Sequence, residues 1–541
     1  MRTDRRRRAW LAAFVSLVLA APVTAQVRDY HPALDEEKFP VPEALVPNIA
    51  FWRAIFSEYT SAQTVIHDDR NLDVVFSVVD VSDLVRNGSS SIAIESTARV
   101  RVRAEIEKYE RIIRRLGGDR RVQVNEADLE RVRALYARSA RRVTDFGSDV
   151  GRVRGQGGLR DRFAEAIQTS GMFMEGIEEA LERHDVPREV RCLPFVESMF
   201  NYRARSSVGA SGVWQFTPST GRLYLHMDSA VDARSDVLLA ADGAARMLAD
   251  NYERVRSWPL ALTGYNHGIA GMERAARQLG TKDMGVIAER YESRTFGFAS
   301  RNFYAEFLAA FTVYADRETL FPGVEALAPV TFDAFEPGAY VSLLDLAYLT
   351  GTDVAQLTAL NPALHPDVSR GVLLVPAKYP LRVPSGTEDA FEDALDRLPD
   401  SRKRERQLSA TYRVRRGDTV GAIARRYGTT PTAIQRANGL SRPDRIYVGQ
   451  VLEVGTGGSW TPLVWTGTAR VTNVQATLSP APAAHASAGG SEGARTHVVR
   501  RGETLTRIAA RYGVSVPAIA GANSLRSVNR IRPGMRLDIP D

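Results

Sequence analysis

Glu197 is the residue whose neighbours best suit it for chemistry. It stands at the centre of the run Leu193-Pro194-Phe195-Val196-Glu197-Ser198-Met199-Phe200-Asn201. A glycine-rich segment follows: Ser206-x-x-Gly209-Ala210-Ser211-Gly212-Val213-Trp214-Gln215-Phe216-Thr217-Pro218-x-Thr220-Gly221. At helical spacing Val190, Leu193 and Glu197 share one face, with Phe195, Val196, Met199 and Phe200 around it. A carboxyl on such a surface has its ionised form disfavoured, and its pKa rises toward the range of a general acid. Glutamates so placed are uncommon unless paired or functional. A competing reading ends the helix at Glu197 with the carboxylate in solvent, or pairs it with Arg188, Arg191 or Arg203. On residue types alone the competing reading weighs more.

The other reactive residue types offer less. His67-Asp68-Asp69 lacks the second ligand cluster a metal site needs, and reads as a solvated turn. Cys192 is the sole cysteine, which excludes an intramolecular disulfide and a cysteine-based zinc cluster; it reads as a small packed hydrophobe. No metal and no cofactor are expected. The formal charge of +7 comes from scattered arginines rather than one basic block, so it describes a general surface tendency.

The elements that must position Glu197 emerge from the pattern along the chain. With 541 residues, 44% hydrophobic and 25% charged, the chain is too long for one core and divides into several domains. Residues 1–25 carry arginines, a short apolar stretch and the small-residue exit Val23-Thr24-Ala25, the pattern of a secretory signal peptide. The stretch is shorter than the roughly 20 residues that cross a bilayer. No cysteine follows it, so no lipid anchor is expected. Export places the protein in the periplasm and puts nucleic acid out of reach as a partner. Residues 26–154 read as a helical N-terminal region, with helical periodicity over 97–116 and 126–144, and Gly155 to Gly158 punctuate the chain. Residues 155–322 read as an all-α domain.

Beyond it the sequence repeats. Tyr412-Arg413-Val414-Arg415-Arg416-Gly417-Asp418-Thr419 aligns with His497-Val498-Val499-Arg500-Arg501-Gly502-Glu503-Thr504, without a gap for roughly forty residues. Each copy, 411–454 and 495–541, reads as a β-α-α-β unit. A degenerate third copy lies within 323–400, beginning near Tyr340, because Ala347, Gly351 and Asn361 keep the spacing of Ala424, Gly428 and Asn438. The Gly, Ser, Ala, Thr and Pro-rich stretch 455–494 reads as a flexible linker.

The pattern Val-Arg-Arg-Gly-(Asp/Glu)-Thr, then Ile-Ala-x-x-Tyr-Gly, Ile-x-x-Ala-Asn-x-Leu and Ile-x-x-Gly-x-x-Leu, resembles the LysM domain. That resemblance implies binding of N-acetylglucosamine units by Gly417, Asp418, Thr419 and Ile446 in one copy and Gly502, Glu503, Thr504 and Ile531 in the other. Thr419 and Thr504 are equally suited to cap the first helix. Glu-Ser-x-Phe-Asn, Gly-Ala-x-Gly-x-Trp-Gln-Phe, Gly264-Tyr265-Asn266-His267-Gly268 and the segment with Tyr304 resemble the soluble lytic transglycosylase domain, a relative of goose-type lysozyme. With the LysM copies, the whole chain resembles the membrane-bound lytic murein transglycosylase D group. The family's lipoprotein cysteine and the Glu-Thr before its last tyrosine are missing, and His267 stands where a small residue is usual.

The resemblance implies a multidomain protein, an all-α lysozyme-like domain followed by small β-α-α-β modules, acting on peptidoglycan glycan strands at the wall. It implies that Glu197 is the catalytic acid and base, and that Ser206 is a partner of Glu197 or of a sugar acetamido group. Gln215 and Asn266 are expected to bind sugar amides, and Tyr304 to orient Glu197 or the cationic intermediate. Trp214 is expected to pack beneath the cleft, and Tyr265 either to bind substrate or to pack in the same way. Nothing in the sequence names a protein regulator.

Overall fold

The computed structural model describes residues 31–141, 143, 146, 151–407, 411–427, 429–438, 440, 446–454, 495–499, 523 and 535–539. The expected signal peptide 1–25 and linker 455–494, and Gly502, Glu503, Thr504 and Ile531, lie outside the described residues. The chain divides into two compact units, Met1–Ala476 and Thr477–Asp541.

The first unit opens with helix α1 (Val46–Ser57), whose residues Ile49, Phe51, Trp52, Ile55 and Phe56 are all buried. A three-stranded antiparallel sheet follows, in the order β2-β1-β3, from β1 (Gln63–Asp68), β2 (Val75–Asp80) and β3 (Val153–Gly157). Two helices cover it: α2 (Ser91–Leu116), capped by Ser90, and α3 (Glu126–Arg138), capped by Asn125. Tyr109, Ile112, Ile113, Leu129, Val132 and Tyr136 from the helices meet Ile66, Val74 and Phe76 from the sheet side in a small separate core.

Residues 26–154 are therefore not wholly helical, and Arg154 to Gly157 continue a strand instead of breaking the chain. The sheet leaves little local signature because its strands are short and β3 reaches β1 only after two intervening helices. His67 and Asp68 correct the expectation of a solvated turn. Both are fully buried at the end of β1. Asp68 takes an ion pair from Arg152 at 2.5 Å and a hydrogen bond from the Tyr136 hydroxyl at 2.6 Å. Burial holds His67 down at about 4, so this ring is neutral packing material. Among the described residues no group of acidic, His or Cys side chains is arranged to hold a metal ion.

From residue 160 the body is helical. The helices that matter for the site are α4 (Arg160–Gly171), α5 (Met174–Glu182), α6 (Leu193–Glu197), α7 (Val237–Val255), α8 (Trp258–His267) and α9 (Phe298–Ala315). Helix α9 is apolar nearly all round, with Phe303, Tyr304, Ala305, Phe307, Leu308, Ala309, Ala310 and Phe311 buried, as a central helix must be. It packs on α1, α6 and α8. Residues 31–57 thus belong to the helical body, whose core includes Leu34, Phe39, Leu45 and Ile49.

In each of the three copies a short first strand pairs with the closing strand, and in the first two a pair of helices lies between them. In the degenerate copy, β4 (Asp333–Phe335) pairs with β5 (Leu381–Val383) around α10 (Leu343–Thr350) and α11 (Val354–Leu360). Its first strand precedes Tyr340, whose amide instead donates to the Arg404 carbonyl. In the next copy, β6 (Thr411–Arg413) pairs with β7 (Val451–Glu453) around α12 (Val420–Arg426) and α13 (Pro431–Ala437). In the second unit, β8 (Arg495–Val498) pairs with β9 (Arg536–Ile539).

One side chain ties the helix pair to the closing strand in both copies of the first unit. Asn438 donates to the Glu453 carbonyl at 2.6 Å and accepts from its amide at 2.7 Å. Asn361 makes the same pair of bonds to Arg382, at 2.7 and 2.9 Å. Arg382 also carries the degenerate copy onto the helical body. Its guanidinium grips Asp236 with two bonds, of 2.7 and 3.0 Å, while Asp236 caps α7 through the amides of Leu238 and Leu239.

Candidate active site

Glu197 ends α6, a five-residue helix with Pro194 in its first turn. The helix stops there because Met199 and Phe200 both take a left-handed backbone, at φ 51° each. Gln215, in the neighbouring loop, does the same at φ 50°. Three of the five described non-glycine residues with positive φ therefore flank Glu197 in two short motifs. Such conformations cost on the order of 1 kcal/mol each and persist where surrounding structure enforces them, commonly at functional sites.

The enforcing contacts are visible. Ser198 Oγ donates to the Val213 carbonyl at 2.9 Å, tying α6 to the glycine-rich loop. Tyr265 Oη donates to the Trp214 carbonyl at 2.8 Å, tying α8 to the same loop. Trp214 is fully buried with its indole N–H on the Val237 carbonyl, the packing role expected of it. Gly212, at φ 77°, admits no side chain, because a Cβ there collides with the Arg234 carbonyl.

Glu197 itself is half-buried. The arginines that might have paired with it are engaged elsewhere: Arg188 and Arg191 both bind Glu178, and Arg203 lies over the Tyr202 ring. Among the described residues Glu197 has no hydrogen bond or ion pair. Burial pushes its carboxyl up to about 8, so at neutral pH it is mostly the protonated acid. The Tyr265 phenol is held well above its usual range by burial and by the nearby Glu197 charge.

A second acid belongs to this site and was missed in the sequence. Glu306 sits half-buried on α9 between the buried residues Ala305 and Phe307. Burial first, and the charge of Glu197 second, push its carboxyl to about 8. It too has no hydrogen bond or ion pair among the described residues. The signal was a lone carboxylate inside Phe303-Tyr-Ala-Glu-Phe-Leu-Ala-Ala-Phe311, a stretch that otherwise reads as core.

The remaining expected residues divide. Gln215 is half-buried and donates to the Gly212 carbonyl at 2.8 Å, leaving its amide oxygen open. Asn266 is exposed and accepts from Ser300 Oγ at 3.1 Å. Ser206 braces its own loop, its hydroxyl accepting from the Ala210 amide at 3.0 Å and its amide donating to the Ala210 carbonyl at 2.9 Å; it does not bond Glu197. Tyr304 is completely enclosed, and its hydroxyl donates to the Pro40 carbonyl at 2.8 Å. Its helix turns that ring into the core, and Glu306 is the α9 residue that interacts with Glu197. Cys192 is buried with its thiol pushed to about 12, an inert packed group.

In the 411–454 module the turn side chains serve the fold. Thr419 Oγ1 accepts from the Ala422 amide at 3.1 Å and so caps α12. Asp418 accepts from the Tyr412 hydroxyl and the Arg415 amide, both at 2.7 Å. Gly417 takes φ 90°, and Ile446 lies half-buried against the core.

Comparison with known proteins agrees with this anatomy. The Transglycosylase SLT domain family matches residues 176–286, and the LysM domain family matches residues 412–455 and 497–540. The SLT match includes Glu197, Ser206, Gln215, Tyr265 and Asn266, and ends before α9. The chain is 27% identical over 385 residues to membrane-bound lytic murein transglycosylase D of Escherichia coli, covering 68% of this chain and 76% of that protein. It is 35% identical over 135 residues to the probable autolysin SsaALP of Staphylococcus aureus, covering 25% of this chain and 42% of that one. An inactive mutant of the lytic transglycosylase Slt from Pseudomonas aeruginosa aligns at 16% identity and a TM-score of 0.23, over 27% of this chain and 24% of that one, too loosely to bear on the fold.

Proposed function

We propose that this chain, a peptidoglycan lytic transglycosylase with a lysozyme-like SLT domain and two LysM domains, cuts the bond between N-acetylmuramic acid and N-acetylglucosamine with Glu197 as both acid and base. The observation that carries this reading is the setting of Glu197: a half-buried carboxyl between two strained motifs, without a cation partner among the described residues, and protonated near neutrality.

In the first step the Glu197 carboxyl donates its proton to the glycosidic oxygen, and the C1–O bond of the muramic residue breaks. The acetamido oxygen of that sugar stabilises the cationic centre, replacing the second carboxylate that a retaining glycosidase uses as nucleophile. In the second step the Glu197 carboxylate takes the proton of the same sugar's C6 hydroxyl, and O6 closes on C1. The product strand ends in 1,6-anhydromuramic acid, and Glu197 is again protonated. Burial keeps Glu197 in its acid form, and the charge that Glu197 acquires after the first step keeps Glu306 protonated. Gln215 and Asn266 offer amide groups to the sugars, and Tyr265 holds the loop that carries Trp214 and Gln215.

The LysM modules hold the enzyme on its polymer. With Thr419 and Asp418 occupied by the fold, sugar contacts in the first module fall to the backbone at Gly417 and to Ile446. Residues 1–25 direct the chain to the periplasm; among the described residues no helix is long and apolar enough to cross a membrane.

Mass spectrometry of strand ends released from purified sacculi tests the reading. Anhydromuramic ends are expected. Reducing muramic ends alone would show water attack and overturn the ring closure.

A further inference from the structure

A cavity of about 730 Å³ lies where the degenerate copy meets the first LysM module. Arg370, Arg413, Arg415, Arg416 and Arg426 line it, with Asp367 as the only carboxylate among the described lining residues. Asp367 is already taken by Arg370 and by His365. The next carboxylate, Asp418, is held by the Tyr412 hydroxyl and the Arg415 amide. Arg426 stacks over the rings of Tyr412 and Tyr427, at 5.5 and 6.0 Å. Arg413 donates to the Gly449 carbonyl. Among the described residues Arg413, Arg415, Arg416 and Arg426 form no ion pair, so four guanidinium groups face one concavity with their charges uncompensated by direct contact.

The position of the cavity says what could fill it. Arg415 and Arg416 immediately precede the turn at Gly417, and Val448 and Gly449 of the lining follow Ile446 in the loop before β7. A glycan seated on that turn lies beside the arginines. Guanidinium groups match carboxylates in shape and charge. Neutral sugar oxygens accept weaker hydrogen bonds from them than carboxylates do.

We propose that this junction binds the carboxylates of peptidoglycan stem peptides, so that the first LysM module and the degenerate copy together select peptide-bearing strands over bare glycan. The proposal rests on the reading of residues 411–454 as a glycan-binding module. The degenerate copy acquires a role in it: fixed to the helical body through Arg382, it contributes Arg370 and Asp367 to the wall of the site.

The test uses the full chain carrying Glu197→Gln, so that no probe is cut, and calorimetric titration with two glycans of equal length, one bearing tetrapeptides and one stripped of them with its lactyl carboxyls capped as neutral amides. Exposed ion pairs are individually weak, so the peptide-bearing probe should bind roughly threefold to tenfold more tightly. The preference should shrink as salt rises. Adding Arg413→Ser and Arg416→Ser should abolish it while leaving the stripped glycan bound as before, which also reports that the module is folded. Lys replacements at the same positions, which retain charge, should keep part of the preference. Equal or tighter binding of the stripped glycan, or a preference that survives the Ser variant, overturns the proposal while leaving the LysM reading intact. Failure of the starting protein to bind either glycan sinks that reading itself. Inorganic phosphate competing as well as the peptide-bearing probe would mark a general anion site and overturn the assignment to stem peptides.

Discussion

Replacing Glu197 by Gln should abolish turnover and at the same time stabilise the protein, by an amount that depends on pH in a calculable way. The carboxyl titrates near 8 in the folded chain and near 4.5 when unfolded. A folded-state pKa raised in this way contributes stability that is complete below the unfolded value and is lost as pH rises through the folded one. Between the two values the native state loses about 1.4 kcal/mol per pH unit relative to a side chain that does not titrate. At neutral pH the sum is about 3 kcal/mol, reduced to about 2 kcal/mol because part of the carboxyl still meets water. Glutamine has the shape of the protonated acid and no charge to lose. The Gln variant should therefore match the parent at about pH 4, exceed it by about 2 kcal/mol at about pH 7, and gain little more above pH 8.

Urea unfolding followed by tryptophan fluorescence suits the measurement, since Trp52, Trp214 and Trp258 are all buried in the helical body. A gap between variant and parent that stays constant from acid to neutral pH would refute the reasoning, because it would mean that the fold does not disfavour the ionised carboxylate. Retained turnover in the same variant would remove Glu197 from the mechanism.

Two further outcomes follow from the site and its support. Burial alone raises Glu197, so Glu306→Gln should leave the alkaline limb of the kcat/KM profile in place; a limb that moves to lower pH would show that a Glu306 charge reaches the acid. Arg382→Ala leaves Asp236 buried and short of its counter-charge, and should cost about 3 kcal/mol in urea unfolding; a loss within about 0.5 kcal/mol would show that the pair does not fix the degenerate copy to the body.

What was legible in the sequence had local causes. The repeat at 411–454 and 495–541 shows because each module is built from its own short segment, and its glycine turns and apolar spacings recur whole. The apolar surround of Glu197 was legible for the same reason, since Leu193, Phe195 and Phe200 lie within one or two turns of it. The N-terminal sheet was not, because β1 pairs with β3 from across nearly ninety residues, and no local pattern records such a partner.

The site divides along the same line. By itself the sequence determined that a carboxyl would stand in apolar surroundings beside a glycine-rich loop, and which modules would accompany it. Only the tertiary structure decided that the carboxyl lacks a cation, because Glu178 draws Arg188 and Arg191 away from it. It also decided that α9 presents Glu306 to the site and turns Tyr304 into the core, a choice set by which face of one apolar helix packs against α6. The physical reason is that ionisation answers to every charge and solvent boundary within several ångströms, and the residues that set those boundaries for Glu197 come from segments up to a hundred residues away.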